Sequence, residues 1–478
     1  MNPEVPGGYR IEGLPPHVLV RQFYLGCLSQ ASYLVGDLST GRAIAVDPRR
    51  DVGELLAAAK DDGLAIELVV ETHFHADFLS GHLELAAATG SEVAFGAAGT
   101  TEFDSRSLAD GEVIDLGGVQ IEVLATPGHT PESISLAVRP APDAAPVAVL
   151  TGDTLFIGDV GRPDLLVSAG VSADDLGRSL YQSVHRLLDL PDNTFVLPAH
   201  GAGSACGKSL STETVSTIGE QRRTNYALQP MSVERFVEIV TEDQPAAPAY
   251  FAYDANLNRS ERPLMDEGPL PTLTLAEVDD AVADGAVVLD TRPTEEFARG
   301  HLAGSLNVGL GGRFAEQAGS VVPVGAKVVL VGEPEALDEA RVRLARIGFD
   351  TVVGALTDIE ATLAERPDRA SRLSRLTAAE LAARQAELGA ELQFVDVRNP
   401  GEVASLPVSG ARNIPLADLR ASINELDRSR PIVLMCAGGT RSAIASSLLL
   451  AEGCADVSDV LGGANAVTGT ATACSLTS

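Results

Sequence analysis

The chain has 478 residues, 45% of them hydrophobic and 21% charged, the composition of a folded protein rather than a disordered one. At roughly 150 residues per domain this length predicts about three units. With 66 Asp and Glu against 35 Lys and Arg the formal charge is -31, a field that repels phosphate backbones and anionic headgroups and so argues against nucleic acid or a membrane surface as partner.

The opening stretch MNPEVPGGYRIEGLPP has no cationic segment followed by an apolar one, and no run approaches the ~20 apolar residues of a spanning helix, so a cytoplasmic protein is expected. Five cysteines, Cys27, Cys206, Cys436, Cys454 and Cys474, are scattered, odd in number and without a CxxC pair. Neither a disulfide framework nor a zinc ribbon is indicated, so any special cysteine acts as a thiolate.

Residues 16–250 alternate β-rich runs (SYLVGD, AIAVDP, IELVV, VQIEVLATPG, VAVLTGD, TFVLPAHG) with helical stretches such as DVGELLAAAKDDG and ADDLGRSLYQSVHRLLDL, which predicts one α/β domain. The densest chemical signal is Glu71-Thr-His-Phe-His-Ala-Asp-Phe-Leu-Ser-Gly-His82, directly after IELVV. Histidines on the turn leaving a buried strand project toward the crevice where α/β sheets place ligands. His129 follows IEVLATPG, Asp153 follows VAVLTG and His200 follows TFVLPA. A single histidine is usually a structural group; four strand ends converging on imidazoles and carboxylates indicate a metal site.

THFHADF, TPGHT, TGDTLF and PAHG, in that order, resemble the metallo-β-lactamase superfamily, which implies an αβ/βα sandwich. There the first motif is usually HxHxDH, and its last residues help hold a second metal in binuclear zinc hydrolases such as glyoxalase II. Phe78 stands in place of the final histidine, and a phenyl ring cannot ligate, so a two-metal hydrolytic clamp is disfavoured. What remains suits the two-histidine, one-carboxylate triad of non-haem Fe(II), and the sequence is similar to the persulfide dioxygenases of this superfamily. That resemblance implies one Fe(II) per chain held by His73, His129 and Asp153, with His75, Asp77 and His200 orienting groups or lining the pocket. Gly161-Arg-Pro-Asp164 and the segment Gln-Arg-Arg-Thr-Asn-Tyr also fit. From them Arg162, Arg222, Arg223 and Tyr226 are candidates for holding the carboxylates of glutathione or a similar thiol, although a solvated helix face explains Arg222 and Arg223 equally well. Cys206, six residues past His200, is either an inert buried thiol or a sulfur relay; bacterial fusions of a persulfide dioxygenase with rhodanese modules resemble its GAGSACG setting.

Residues 251–272 are rich in Pro, Asp and Glu and read as a linker. Beyond it one unit occurs twice, over 273–368 and 374–478, each with a helix, an apolar strand ending in Asp-x-Arg (Asp290 and Arg292; Asp396 and Arg398), a second helix and a loop into another strand. The strands KVVLVG and PIVLMC complete a parallel α/β pattern in each. In the second copy, Cys436-Ala-Gly-Gly-Thr-Arg-Ser442 lies between a strand and the helix AIASSLLLAEG. A short Gly-rich loop turns N–H groups inward, the helix N-terminus adds partial positive charge and Arg441 a formal one, an environment that favours a thiolate and a persulfide anion on the same sulfur. The loop from Cys436 to Arg441 resembles the active-site loop of single-domain rhodaneses, and phosphatases use a longer one. The first copy has Glu333-Pro-Glu-Ala-Leu at this place and no cysteine, so it is expected to be catalytically empty and to serve packing or dimerisation, with a homo-oligomer expected. The second copy also departs from the rhodanese pattern, with Ser409-Gly410 where Gly-His is usual; Cys454 and Cys474 carry no motif and are taken as structural or incidental.

Together these readings predict an enzyme that oxidises a low-molecular-weight persulfide, such as glutathione persulfide, with O2 to sulfite and thiol, and passes sulfane sulfur through Cys436 to sulfite to give thiosulfate. Fusion raises the effective concentration of the shared intermediate. The rivals are a zinc thioesterase of the glyoxalase II type and a non-enzymatic sulfur carrier. Metal content separates the three: one iron, two zinc ions, or none.

Overall fold

Strands such as Gln30–Asp37 and Ala148–Gly152 are buried at every position, the pattern of strands covered on both faces. The computed structural model describes residues 5–167 and 170–469; Cys474 lies outside them. The chain divides into two units, Met1–Gln244 with Phe251–Met265, and Pro245–Tyr250 with Asp266–Ser478.

In the first unit two sheets face each other. One has seven strands in sequence order, from Tyr9–Arg10 to Arg106–Leu108; the other has six, from Val113–Asp115 to Ser216–Thr217, also in sequence order. Their facing sides form one core, in which Val20, Val35, Ile44 and Val70 meet Ile121, Val123, Leu136 and Leu150. Each outer face is covered by helices. Leu55, Ala58 and Leu85 of the helices Gly53–Asp61 and His82–Thr89 pack on Leu19, Leu34 and Val69. On the other side lie Ala173–Leu187 and Val233–Thr241. The helix Ala173–Leu187 starts where the Ser172 side chain accepts from the Asp175 N–H, with Asp174 and Asp175 in its first turn. Its Leu176, Leu180, Val184 and Leu187 make one buried stripe, each stabilising by about 2 kcal/mol. This is the αβ/βα sandwich that the motifs implied.

The second unit contains both repeats. The first has a parallel sheet in the order Leu306–Asn307, Val287–Asp290, Val328–Val331, Val352–Leu356; the second has Ser374–Leu376, Val457–Val460, Ile432–Met435, Gln393–Asp396, Arg412–Asn413, also parallel. The repeat extends to side-chain chemistry. Thr274 with Glu277 and Thr377 with Glu380 form the same capping box. Arg292 and Arg398 clamp Asp290 and Asp396, and Asn307 and Asn413 each donate to the two carbonyls flanking that turn. No helix among the described residues is long and apolar enough to cross a membrane.

The segment read as a linker is folded in part. It forms the helix Tyr250–Leu257, and Asn258 and Arg262 behind it are buried in the first unit.

Candidate functional site

Asp47 follows the strand Arg42–Val46 in a left-handed conformation, φ 48°, and its carboxylate turns back to accept from the Thr72 N–H at 2.7 Å and the Thr72 hydroxyl at 2.9 Å. This holds the turn leaving Ala65–Val70. The Thr72 oxygen lies 3.0 Å from Nδ1 of His73, whose Nε2 then faces Asp153 Oδ2 at 3.8 Å. Nδ1 of His129 donates to the Arg162 carbonyl at 2.8 Å, which selects the tautomer whose Nε2 lone pair is free, 3.5 Å from the same Asp153 oxygen. One donor atom from each of His73, His129 and Asp153 lies within 4.8 Å of the others, and all three residues are buried.

The donor set fits a cation. Nε2 of His73 and both Asp153 oxygens are buried without a hydrogen-bond partner among the described residues, an arrangement worth several kcal/mol against folding unless a cation satisfies it. Burial, and after it the neighbouring His75, holds His73 well below the usual histidine range, in the neutral form that has a lone pair to give. Gly161 permits the crowding, since a Cβ there would stand 1.9 Å from the Asp153 carbonyl oxygen and 3.2 Å from Cβ of His129.

The second histidine of the motif faces elsewhere. Nε2 of His75 lies 3.1 Å from Asp47 and 3.5 Å from Glu71. Burial opposes its charged form, but Asp47 and then Glu71 outweigh that and raise it to about 9, so this ring is tied to carboxylates on its own side of the turn. The Phe78 ring, itself buried, lies on His75 with centroids 4.3 Å apart. Nε2 of His200 lies 3.4 Å from Asp77 and 3.5 Å from Asp153, and His75, Asp77 and His200 form a second close grouping of donor atoms.

The remaining candidates separate. Arg162 is buried, pairs with Asp164 at 2.7 Å, and ties the metal-side loop to the cysteine loop by donating to the carbonyls of Ala205 at 3.1 Å and Cys206 at 3.0 Å. The thiol of Cys206 groups with donor atoms of Asp153 and His200. Burial, then the carboxylates of Asp77 and Asp153, push it well above the usual thiol range. Arg222 and Arg223 are exposed and bound to Asp192 and Glu220, so they are not brought into contact with the histidines. The Tyr226 hydroxyl donates to Asp159 at 2.7 Å and lines a separate cavity of about 440 Å³ with Lys208 and Arg235.

Asn258 gave no signal in the sequence. Its amide nitrogen donates to the carbonyls of His75 at 2.7 Å and Phe78 at 2.9 Å, while its oxygen accepts from the Ser80 N–H at 2.8 Å. One buried amide thus holds the whole turn carrying His75 and Asp77. Asn258→Ala leaves two carbonyls and one N–H unsatisfied, and is expected to destabilise the protein by about 3 kcal/mol and to lower its metal content. Denaturant unfolding with metal analysis checks this; parental values in both would make the clamp dispensable.

At the second constellation, Gly439 sits at φ 102°, a conformation that favours glycine, and its N–H donates to Cys436 Sγ at 3.1 Å. The Ser442 hydroxyl donates to the same sulfur at 3.5 Å. The helix Thr440–Ala451 begins here, so its N-terminus faces a buried thiol. Arg441 is gripped by both oxygens of Glu402 at 2.7 and 2.6 Å, a partner that the sequence did not reveal.

Residues 25–200 match the metallo-beta-lactamase superfamily, and 274–357 and 377–470 match the rhodanese-like domain. A metallo-beta-lactamase of solved structure from Staphylococcus aureus subsp. aureus COL is 32% identical, with a TM-score of 0.65 over 71% of this chain and 99% of that one. The chain therefore belongs to the metallo-β-lactamase superfamily and joins that fold to two rhodanese-like domains. Its relatives narrow the class. It is 30% identical over 245 residues to the mitochondrial persulfide dioxygenase ETHE1 of Bos taurus and 29% over 245 residues to that of Homo sapiens, in each case over 50% of this chain and 88% of the relative. The protein is a homologue of the persulfide dioxygenases with residue groups that could hold a metal ion, and an enzyme of sulfur chemistry.

Proposed function

We propose that the first unit oxidises a low-molecular-weight persulfide, such as glutathione persulfide, with O2 at one Fe(II) per chain, releasing sulfite and thiol, and that the second unit transfers sulfane sulfur through Cys436 to sulfite, giving thiosulfate. The observation that carries the first half is the close grouping of His73, His129 and Asp153, with His73 Nε2 and both Asp153 oxygens buried and unpartnered among the described residues, in a homologue of persulfide dioxygenases. Bound iron supplies open positions for O2 and for a soft sulfur ligand. The protein's part is to aim the donors. Thr72 and the Arg162 carbonyl orient the two imidazoles, Asp153 supplies the negative charge, and Phe78 presents carbon where a further ligand would serve a second metal. In the second unit, the Gly439 N–H and Ser442 hydroxyl support charge on Cys436 sulfur while Glu402 keeps Arg441 in place.

The test is O2 uptake by anaerobically iron-loaded protein given a defined persulfide, with sulfite measured alongside. Binding of two zinc ions with thioester hydrolysis would overturn the reading in favour of a hydrolase.

Cys206 enters the proposal as a sulfur relay, on the strength of its place beside Asp153 and His200. Its thiol sulfur takes the terminal sulfur of the incoming persulfide, and the departing thiolate takes its proton. Cys206→Ser is expected to slow persulfide turnover several-fold with iron content intact. Unchanged kinetics across several thiol carriers would return Cys206 to a packing role.

A further inference from the structure

The two repeats of the second unit share one cavity. It has a volume of about 1020 Å³ and is lined by Cys436, Thr440 and Arg441 from the second copy and by Glu295, Glu296 and Glu333 among others from the first. Strand register shows how the copies correspond. Asp290 pairs with Val331 as Asp396 pairs with Met435, so Gly332 stands in the first copy where Cys436 stands in the second. Likewise Glu296 follows Arg292 at the spacing by which Glu402 follows Arg398. Glu402 spends its charge on Arg441. In the first copy the helix Pro334–Ala345 begins directly after Glu333, no such arginine exists, and Glu296 is left without an ion pair among the described residues.

The charges on the cavity wall do not balance. Each lining arginine already has a carboxylate: Arg441 has Glu402, Arg313 has Glu316, and Arg292 has Asp290. Glu333, like Glu296, has no ion pair among the described residues. Glu295 meets Arg375 at 3.4 Å, but that guanidinium is already committed to Asp459 at 3.0 and 3.1 Å. The wall facing the reactive sulfur is therefore acidic. The cavity lies at the upper end of the roughly 300–1,000 Å³ that sites for drug-sized ligands occupy. Sulfite or thiosulfate held at the Cys436 loop would leave most of it empty, so the acidic wall is left over for a larger partner.

We propose that this cavity binds the persulfide of an amine-bearing thiol, with Glu295, Glu296 and Glu333 of the cysteine-less copy receiving the ammonium group while the sulfane sulfur meets Cys436. This rests on the reading of Cys436 as a sulfur acceptor and names the donor class. In the transfer the Cys436 thiolate attacks the terminal sulfur of R–S–SH. The donor S–S bond breaks as a new one forms on Cys436, RS⁻ leaves with the electron pair, and the proton goes to RS⁻ to give RSH, so no external oxidant or reductant is needed. The first repeat, without its own cysteine, thereby sets the specificity of the second.

The experiment measures the rate at which Cys436 of the full chain becomes persulfidated, by intact mass, under argon so that O2 chemistry is silent. The donors are the persulfides of cysteamine, mercaptoethanol and thioglycolate, which differ in charge at similar size, with Cys436→Ser as the blank. The expected order is cationic, neutral, anionic, with about 10-fold between the ends at low ionic strength. The order should collapse at about 1 M salt, where screening acts within ~3 Å, and in the triple variant Glu295→Gln, Glu296→Gln, Glu333→Gln. Equal rates for the three donors, or discrimination that survives the triple variant, would overturn the proposal. Failure of every donor to label Cys436 would instead overturn the sulfur-transfer reading beneath it.

Discussion

His73→Ala, His129→Ala and Asp153→Asn are each expected to abolish O2 uptake with a persulfide while leaving sulfur transfer at Cys436 intact. Three donors lie within 4.8 Å of one another, and removing one leaves too few to hold iron in a site that keeps positions open for two substrates. Asp153→Asn is the most telling, because it keeps volume and removes only charge. Both Asp153 oxygens are buried without hydrogen-bond partners among the described residues. A side chain kept for packing alone would be missed. A ligand is different: in iron-free protein its carboxylate is an unfavourable buried group, so the amide variant should be at least as stable as the parent. Adding Fe(II) at about a thousand times its Kd should then stabilise the parent by about 4 kcal/mol and the variant not at all. Anaerobic denaturant unfolding with and without Fe(II), read beside O2 uptake, gives both halves of this signature. Parental O2 consumption by any of the three variants would remove that residue from the site.

How far this site was legible in the sequence follows from where its information lies. His73, His129, Asp153 and His200 each come within four residues after an apolar strand, so the apolar run that announces the strand also places the residue at that strand's carboxyl end. The repeat was legible for a similar reason, since Asp-x-Arg is a local turn device whose two members bond each other. What stayed hidden is what reaches across the chain. Asn258 looks like an ordinary polar residue in a proline-rich stretch, and it acquires its role only by lying against backbone 178 to 183 residues away. Asp47 was hidden in another way: AVDP reads as a strand end, and only the fold turns its carboxylate onto Thr72 and His75. Arg222 and Arg223 fitted two readings equally, anion binding and a solvated helix face, and the partners Asp192 and Glu220 that hold both guanidiniums at the surface are reported by no local pattern. The segment 251–272 read as a linker because composition reports flexibility and not the burial of a single amide.

Cys436→Ser is expected to abolish sulfurtransferase activity while O2 uptake with a persulfide continues, so that the variant releases sulfite where the parent releases thiosulfate. The substitution exchanges one chalcogen for another in nearly the same volume. The loop should keep its shape, because Gly439 holds its left-handed turn and the pair between Arg441 and Glu402 does not involve the sulfur. The Gly439 N–H and the Ser442 hydroxyl can donate to oxygen as they do to sulfur. What is lost is chemical. A serine hydroxyl at neutral pH is a far weaker nucleophile toward sulfur than a thiolate, and it cannot store sulfane sulfur as a persulfide. No second loop replaces it, since Gly332 stands at the equivalent place in the first repeat and Cys454, at the end of the helix Thr440–Ala451, is buried with its thiol pushed up by that burial. The proposed iron ligands His73, His129 and Asp153 belong to the other unit, so their variants should show the reverse pattern, with transfer retained and O2 uptake gone. Sulfite, thiosulfate and O2 followed together on both sets of variants decide the matter. A Cys436→Ser protein with the parent's thiosulfate yield would mean that thiosulfate arises without the second rhodanese-like domain.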